Sequence, residues 1–184
     1  MNEIFSLYLD LDGVLTDFEG GFMKIANETP LIKFSQTYGE KATRNKFLDQ
    51  DIEFWANLEW MYGGKELWEA SSRLFGRVYI LSSAGTTDPN RAKSVIEGKK
   101  LWLKKNIPSL SDNRIFIVLG KHMKQQYASR DSILVDDMPV TIKQWDEKGG
   151  YGILHNSKHY EKTIEELEDL SKPLKLAELA KRFQ

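Results

Sequence analysis

The chain contains no cysteine, which excludes disulfides, thiolate metal sites and a cysteine nucleophile. It has no surplus of either charge: 26 Lys and Arg stand against 27 Asp and Glu. That balance is too even for a dedicated nucleic-acid or membrane-surface protein. No apolar run approaches the roughly 18 residues that span a bilayer. At the N-terminus Glu3, Asp10 and Asp12 interrupt the apolar stretch and no basic leader precedes it, so a signal peptide is not expected and the reading is cytosolic. His122, His155 and His159 lack metal-ligand spacing and are assigned no catalytic role.

What is present is a globular composition, 41% hydrophobic over 184 residues, a length that suits one compact unit with an insertion. Apolar runs at Ile4–Leu11, Val78–Leu81, Ile115–Leu119, Ile133–Val135 and Tyr151–Leu154 are short and bounded, as buried strands of a mostly parallel sheet are. Asn90–Asn106, Lys121–Ser129 and Val140–Lys148 fit crossover helices. The alternation predicts an α/β, doubly wound, Rossmann-like fold. About sixty residues separate the first two strands, far more than one crossover needs. We therefore expect a small helical cap, residues 18–71, inserted after the first strand, with residues 1–17 and 72–184 as the core. Its first helix is expected over Asp17–Glu28, and Ile164–Phe183 is read as one or two amphipathic helices divided at Pro173.

The chemistry concentrates at strand ends. Asp10 and Asp12 follow the first apolar run directly, where like charges two residues apart are unfavourable unless a cation or phosphoryl group offsets them. Asp10 could act as a nucleophile on phosphorus and Asp12 as proton donor and later base, with Gly13 allowing a sharp turn. Taken alone, Asp-x-Asp-Gly reads first as a β-turn whose Asp residues cap local backbone groups. Ser82 and Ser83 end the second run, Lys121 and Lys124 precede the fourth, and Asp136 and Asp137 end it. Hard carboxylate oxygens of this kind suit Mg²⁺.

The run Asp10-Leu-Asp-Gly-Val-Leu-Thr-Asp17, with Ser82, Lys124 and Asp136-Asp137 following in order, resembles the four signatures of the haloacid dehalogenase (HAD) superfamily of phosphotransferases. The resemblance implies Mg²⁺-dependent hydrolysis of a phosphate monoester through an aspartyl-phosphate. It implies Asp10 and Asp12 as catalytic residues and Ser82, Ser83 and Lys124, or alternatively Lys121, as phosphate ligands. Asp10, Asp136, Asp137 and the carbonyl of Asp12 would hold the metal. Phe54-Trp55, Gly63-Gly64-Lys65, Lys99-x-x-Trp102, Trp145 and Gly149-Gly150 further resemble the 5'(3')-deoxyribonucleotidase-like branch. That branch implies a nucleoside monophosphate as the small phosphorylated substrate. Ser at 82 and Met138-Pro139 after the acidic pair depart from the branch and bear on substrate rather than on chemistry. The alternatives are a phosphatase for another metabolite or a nucleic-acid end, and a catalytically silent binding protein on the same fold.

In the inserted segment Phe18, Phe54, Trp55, Trp60, Met61 and Tyr62 could line a pocket that stacks on a base, or form the cap's own core. Residues 91–105 carry Arg91, Lys93, Lys99, Lys100, Lys104 and Lys105 against Glu97 alone. We read them as a solvated helix face whose Val95 and Trp102 side packs on the sheet.

Overall fold

The structure is a computed structural model that describes residues 2–172. Five strands form one sheet: β1 (Asn2–Leu9), β2 (Phe75–Ser83), β3 (Ile115–Val118), β4 (Ser132–Asp136) and β5 (Tyr151–Leu154). Their order is β3-β2-β1-β4-β5, and every pairing is parallel. Successive side chains point to opposite faces, and two separate apolar clusters result. Leu7, Leu9, Ile80, Ile133 and Val135 join the larger one. Leu81 and Leu134 lie in the other, with Tyr8 and Phe116 packed beside them.

Helices cover both faces, as the alternating pattern predicts. The larger cluster is closed by Trp102 and Leu103 of α6 (Pro89–Asn106) and by Leu167 and Leu170 of α8 (Tyr160–Ser171). The smaller is closed by Trp145 of α7 (Pro139–Glu147). Asp88 caps α6 by accepting from the Asn90 N–H, with Pro89 in the first turn where its missing N–H costs nothing.

The long first connection is helical: α1 (Phe18–Ile25), α2 (Leu31–Tyr38), α3 (Glu40–Leu48), α4 (Ile52–Ala56) and α5 (Gly64–Leu74). Asp17 opens α1 by accepting from Gly20. The helix ends earlier than Glu28, because Asn27 and Glu28 take left-handed backbone angles of φ 49° and 59°. Helix α4 packs on α6, while α5 packs on α8 and β2.

One expected crossover helix is different in kind. Lys121–Tyr127 is a 3-10 segment, drawn inward at Lys124 by two carboxylates and at Tyr127 by the ring of Phe116. Ser171 ends α8, and the expected break at Pro173 with the helix beyond it lies outside the described residues.

Candidate active site

The chain moves outward from β1 to β2 and β3, then returns to the other side of β1 for β4 and β5. The reversal opens a crevice at the carboxyl ends of the central strands, where sheets of this kind bind ligands. Register brings the acidic residues together there: Leu9 pairs with both Ile80 and Val135, and the Asp10 N–H donates to the Val135 carbonyl.

Lys124 is the electrostatic centre. Its Nζ lies 2.7 Å from Oδ2 of Asp10 and 2.7 Å from Oδ2 of Asp136, and all three side chains are buried. Burial opposes its charge, yet the two carboxylates outweigh that cost and push its pKa above the ordinary lysine value. The remaining carboxylate oxygens are satisfied by backbone: Leu11 N–H donates to Asp10 Oδ1 at 2.7 Å and Met138 N–H to Asp136 Oδ1 at 2.9 Å.

Asp137 reaches the same point through a glycine. A Cβ on Gly13, whose φ is +79°, would stand 2.3 Å from Asp137 Oδ2, so only glycine permits this approach. Asp10, Asp136 and Asp137 each offer an oxygen within 4.8 Å of the others. Burial and then the Asp10 charge raise Asp136 to about 6, and burial with Asp10 and Asp136 raises Asp137 to about 7. Three crowded hard-oxygen donors whose charges are poorly compensated have the composition and spacing for a divalent cation such as Mg²⁺. The Asp12 carboxylate stands outside this triad.

Asp12 is held by a residue that the sequence reading put among solvated lysines. Lys99 is 2% exposed, and its Nζ donates to Asp12 Oδ2 at 2.6 Å, Ser82 Oγ at 3.0 Å and the Ser83 carbonyl at 2.8 Å. It also lies 5.5 Å from the centroid of the Trp55 ring. The correction has a legible cause. Lys99 shares the helical stripe of Val95, Trp102 and Leu103, all buried, so its position on the apolar side was the available signal. Thr16 donates to the other oxygen of Asp12 at 3.2 Å.

These groups open into a cavity of about 710 Å³, within the range of small-molecule sites. Asp10, Asp12, Ser82, Ser83, Lys124 and Asp137 form its floor. Phe18, Phe47 and Trp55 form an apolar wall, with Phe18 stacked on Trp55 (5.5 Å, 8°) and edge-on to Phe47 (5.4 Å, 86°). The Trp55 indole N–H is buried without a hydrogen-bond partner.

Four expected pocket residues do not line this cavity. Trp60 turns to α6, edge-on to Trp102 at 4.7 Å and donating to Asn106. Phe54 turns toward the space beside Gly21 and packs with the core. Tyr62 is 68% exposed and meets Tyr160 of α8 edge-on at 5.5 Å. Met61 donates its backbone N–H to the Leu15 carbonyl and is likewise outside the lining. A short helix can direct only part of its surface inward, and in α4 that part is Trp55. Phe47 takes a place in the wall that the sequence reading did not foresee; its one signal was a large ring beside Leu48 at the end of the mostly polar α3. Lys121 is on the rim and exposed, unlike Lys124.

No family model matches the sequence, and no curated protein matches it. Solved structures match in fold. A HAD hydrolase of family IA, variant 3, from Entamoeba histolytica is 16% identical with a TM-score of 0.50, over 91% of this chain and 99% of its own. A hydrolase from Streptococcus pneumoniae is 12% identical (TM-score 0.49, 90% and 100% covered). A HAD family hydrolase from Deinococcus radiodurans, solved with bound phosphate and sodium, is 14% identical (TM-score 0.48, 90% and 89% covered). The Entamoeba likeness is one of fold: this chain shares the α/β architecture of that HAD hydrolase.

Proposed function

We propose that this protein is a Mg²⁺-dependent phosphomonoesterase that works through an aspartyl-phosphate and takes nucleoside monophosphates as substrates. The observation that carries the reading is Lys124, whose buried ammonium bridges Asp10 and Asp136 at the floor of a cavity with an aromatic wall.

The substrate phosphate is drawn to Lys124 and the Ser82 hydroxyl, with Ser83 beside it. At about 4 Å and an effective dielectric near 20, one such cation contributes up to about 4 kcal/mol of gross attraction. Asp10 Oδ attacks phosphorus, forming the acyl–phosphate bond as the ester P–O bond breaks. The leaving oxygen takes a proton from Asp12 and departs as an alcohol. A water then attacks the same phosphorus, Asp12 takes its proton, and the Asp10–phosphate bond breaks to release phosphate, which restores the Asp10 carboxylate and the protonated form of Asp12. Lys99 fixes Asp12 and Ser82 relative to each other throughout, acting as a positioning residue. Asp10, Asp136 and Asp137 would hold Mg²⁺, which supplies positive charge against the phosphoryl oxygens when bound.

The aromatic wall supports a base-bearing substrate, since flat rings stack on any nucleobase and the unpartnered Trp55 N–H stands in that wall. The test is phosphate release with Mg²⁺ from nucleoside monophosphates, sugar phosphates and phosphorylated oligonucleotides, with Asp10→Asn as the inactive control. The expected result is highest catalytic efficiency on a nucleoside monophosphate and none in the control. Equal efficiency on a small ester without a base would overturn the substrate assignment, and turnover in Asp10→Asn within tenfold of wild type would overturn the covalent mechanism.

A further inference from the structure

The floor and the aromatic wall do not exhaust the cavity. Its outer rim is formed by Arg44 of α3, by Lys121 and His122 at the start of the 3-10 segment, and by Thr86 and Thr87 of the loop after β2. That loop joins the two basic sides. A Cβ on Gly85 would stand 3.3 Å from the Phe47 ring, three residues along α3 from Arg44. A Cβ on Gly120 would stand 2.7 Å from the His122 ring and 3.5 Å from Thr87.

Arg44 and Lys121 differ from the neighbouring cations in lacking a carboxylate partner among the described residues. Lys124 is held by Asp10 and Asp136, Lys99 by Asp12, and Arg91 by Asp49 and Asn45. Among the described residues Arg44, Lys121 and His122 form no ion pair. Of the two rim carboxylates, Glu19 accepts from the Leu31 N–H. Glu40 stands in the first turn of α3, where the helix end favours its charge. The cavity thus has Lys124 and the acidic triad at its floor and the unpaired side chains of Arg44 and Lys121 at its rim, with Phe18, Phe47 and Trp55 also in its lining.

We propose that this rim is a second anion site, where Arg44 and Lys121 bind a further phosphate while the scissile one sits on Lys124, so that among nucleotides a small nucleoside bisphosphate is held more tightly than the corresponding monophosphate. This rests on the phosphomonoesterase reading for the first phosphate. A guanidinium donates two parallel N–H bonds to a phosphate and an ammonium adds a point charge, and the hydroxyls of Thr86 and Thr87 complete a polar surround.

The test separates binding from turnover. Asp10→Asn protein with Mg²⁺ is titrated calorimetrically with a nucleoside 3',5'-bisphosphate and with the 5'-monophosphate of the same nucleoside. Wild type is assayed for phosphate release from both and from a 5'-phosphorylated oligonucleotide. The expected result is a bisphosphate Kd at least tenfold below that of the monophosphate. Adding Arg44→Gln and Lys121→Gln should cut that advantage to threefold or less, with far-ultraviolet circular dichroism confirming the fold. Equal Kd values for the two ligands, or an advantage untouched by both substitutions, would overturn the inference whatever the turnover. An oligonucleotide hydrolysed more efficiently than the free bisphosphate overturns the small-molecule assignment. If binding shows the preference but no phosphate ester is hydrolysed, the second anion site stands and the hydrolytic reading falls.

Discussion

Lys99 Nζ lies 2.6 Å from Oδ2 of Asp12, although the two residues are 87 positions apart in the chain. The same ammonium touches Ser82 Oγ and the Ser83 carbonyl, so one charge ties the end of β2 to the loop after β1. Replacing it as Lys99→Met keeps the stem and removes the donor. Catalytic efficiency should fall by at least about 10², the range associated with losing a positioned acid or base. Lys99→Arg should not restore it, because a planar fork does not fit a compact site beneath Trp55. Steady-state kinetics on the two variants, with Mg²⁺ saturating, decides this.

Lys124 and Lys121 separate cleanly. Lys124→Met strands two buried carboxylates, and breaking a buried ion pair costs about 3 to 5 kcal/mol. Denaturant unfolding without metal should show that loss, Mg²⁺ should recover part of it, and hydrolysis of every ester should collapse. Lys121→Met should leave stability within about 0.5 kcal/mol, as expected for an exposed side chain. A larger stability loss at 121 than at 124 would contradict the geometry.

Metal affinity should depend on pH in a defined direction. In the metal-free protein Asp136 and Asp137 are raised to about 6 and about 7, chiefly by burial and by the Asp10 charge. Protons therefore compete with the cation below these values. Mg²⁺ affinity should rise from pH 5.5 to 8, with proton release on binding near pH 6.5. Calorimetry in two buffers of different ionisation enthalpy measures both quantities, and chelation should abolish turnover until Mg²⁺ is returned.

His155 gives a stability signature of its own. Burial lowers its pKa from 6.5 to about 4, and its Nδ1 pairs with the Thr163 hydroxyl at 3.0 Å. The unfolded chain protonates first, so the contribution of the neutral ring is complete above pH about 6.5 and is lost as the pH falls toward 4. Two and a half units correspond to about 3 kcal/mol. Urea unfolding of wild type and His155→Gln between pH 4 and 7.5 should show this slope in wild type only.

The strands, the helical insertion and the convergence of Asp10, Ser82, Lys124 and Asp136 were legible in the sequence. Short apolar runs record burial on both faces of a sheet, and strand ends record where polar groups are tolerated. Lys99 was not read correctly, because a charge count over residues 91–105 ignores helical phase. The cavity wall was half legible. Aromatic composition marked Trp55 and Phe18, but which rings turn inward depends on the packing of Phe54 in α4, and of Leu58 after it, against Gly21, which is long-range information.

Helix α6 carries Lys99 to the floor of the cavity and also supports the inserted segment. Trp102 donates to the Leu58 carbonyl at 2.7 Å, Trp60 donates to Asn106 at 3.1 Å, and a Cβ on Gly98 would stand 2.4 Å from that of Trp55 and 2.6 Å from the Ile52 carbonyl. The insertion is therefore not an exchangeable module. A chimera that grafts a foreign segment between β1 and α5 inherits a helix whose surface was shaped for Trp55, Leu58 and Trp60, so redesigning specificity requires recoding the 98–106 face together with the graft.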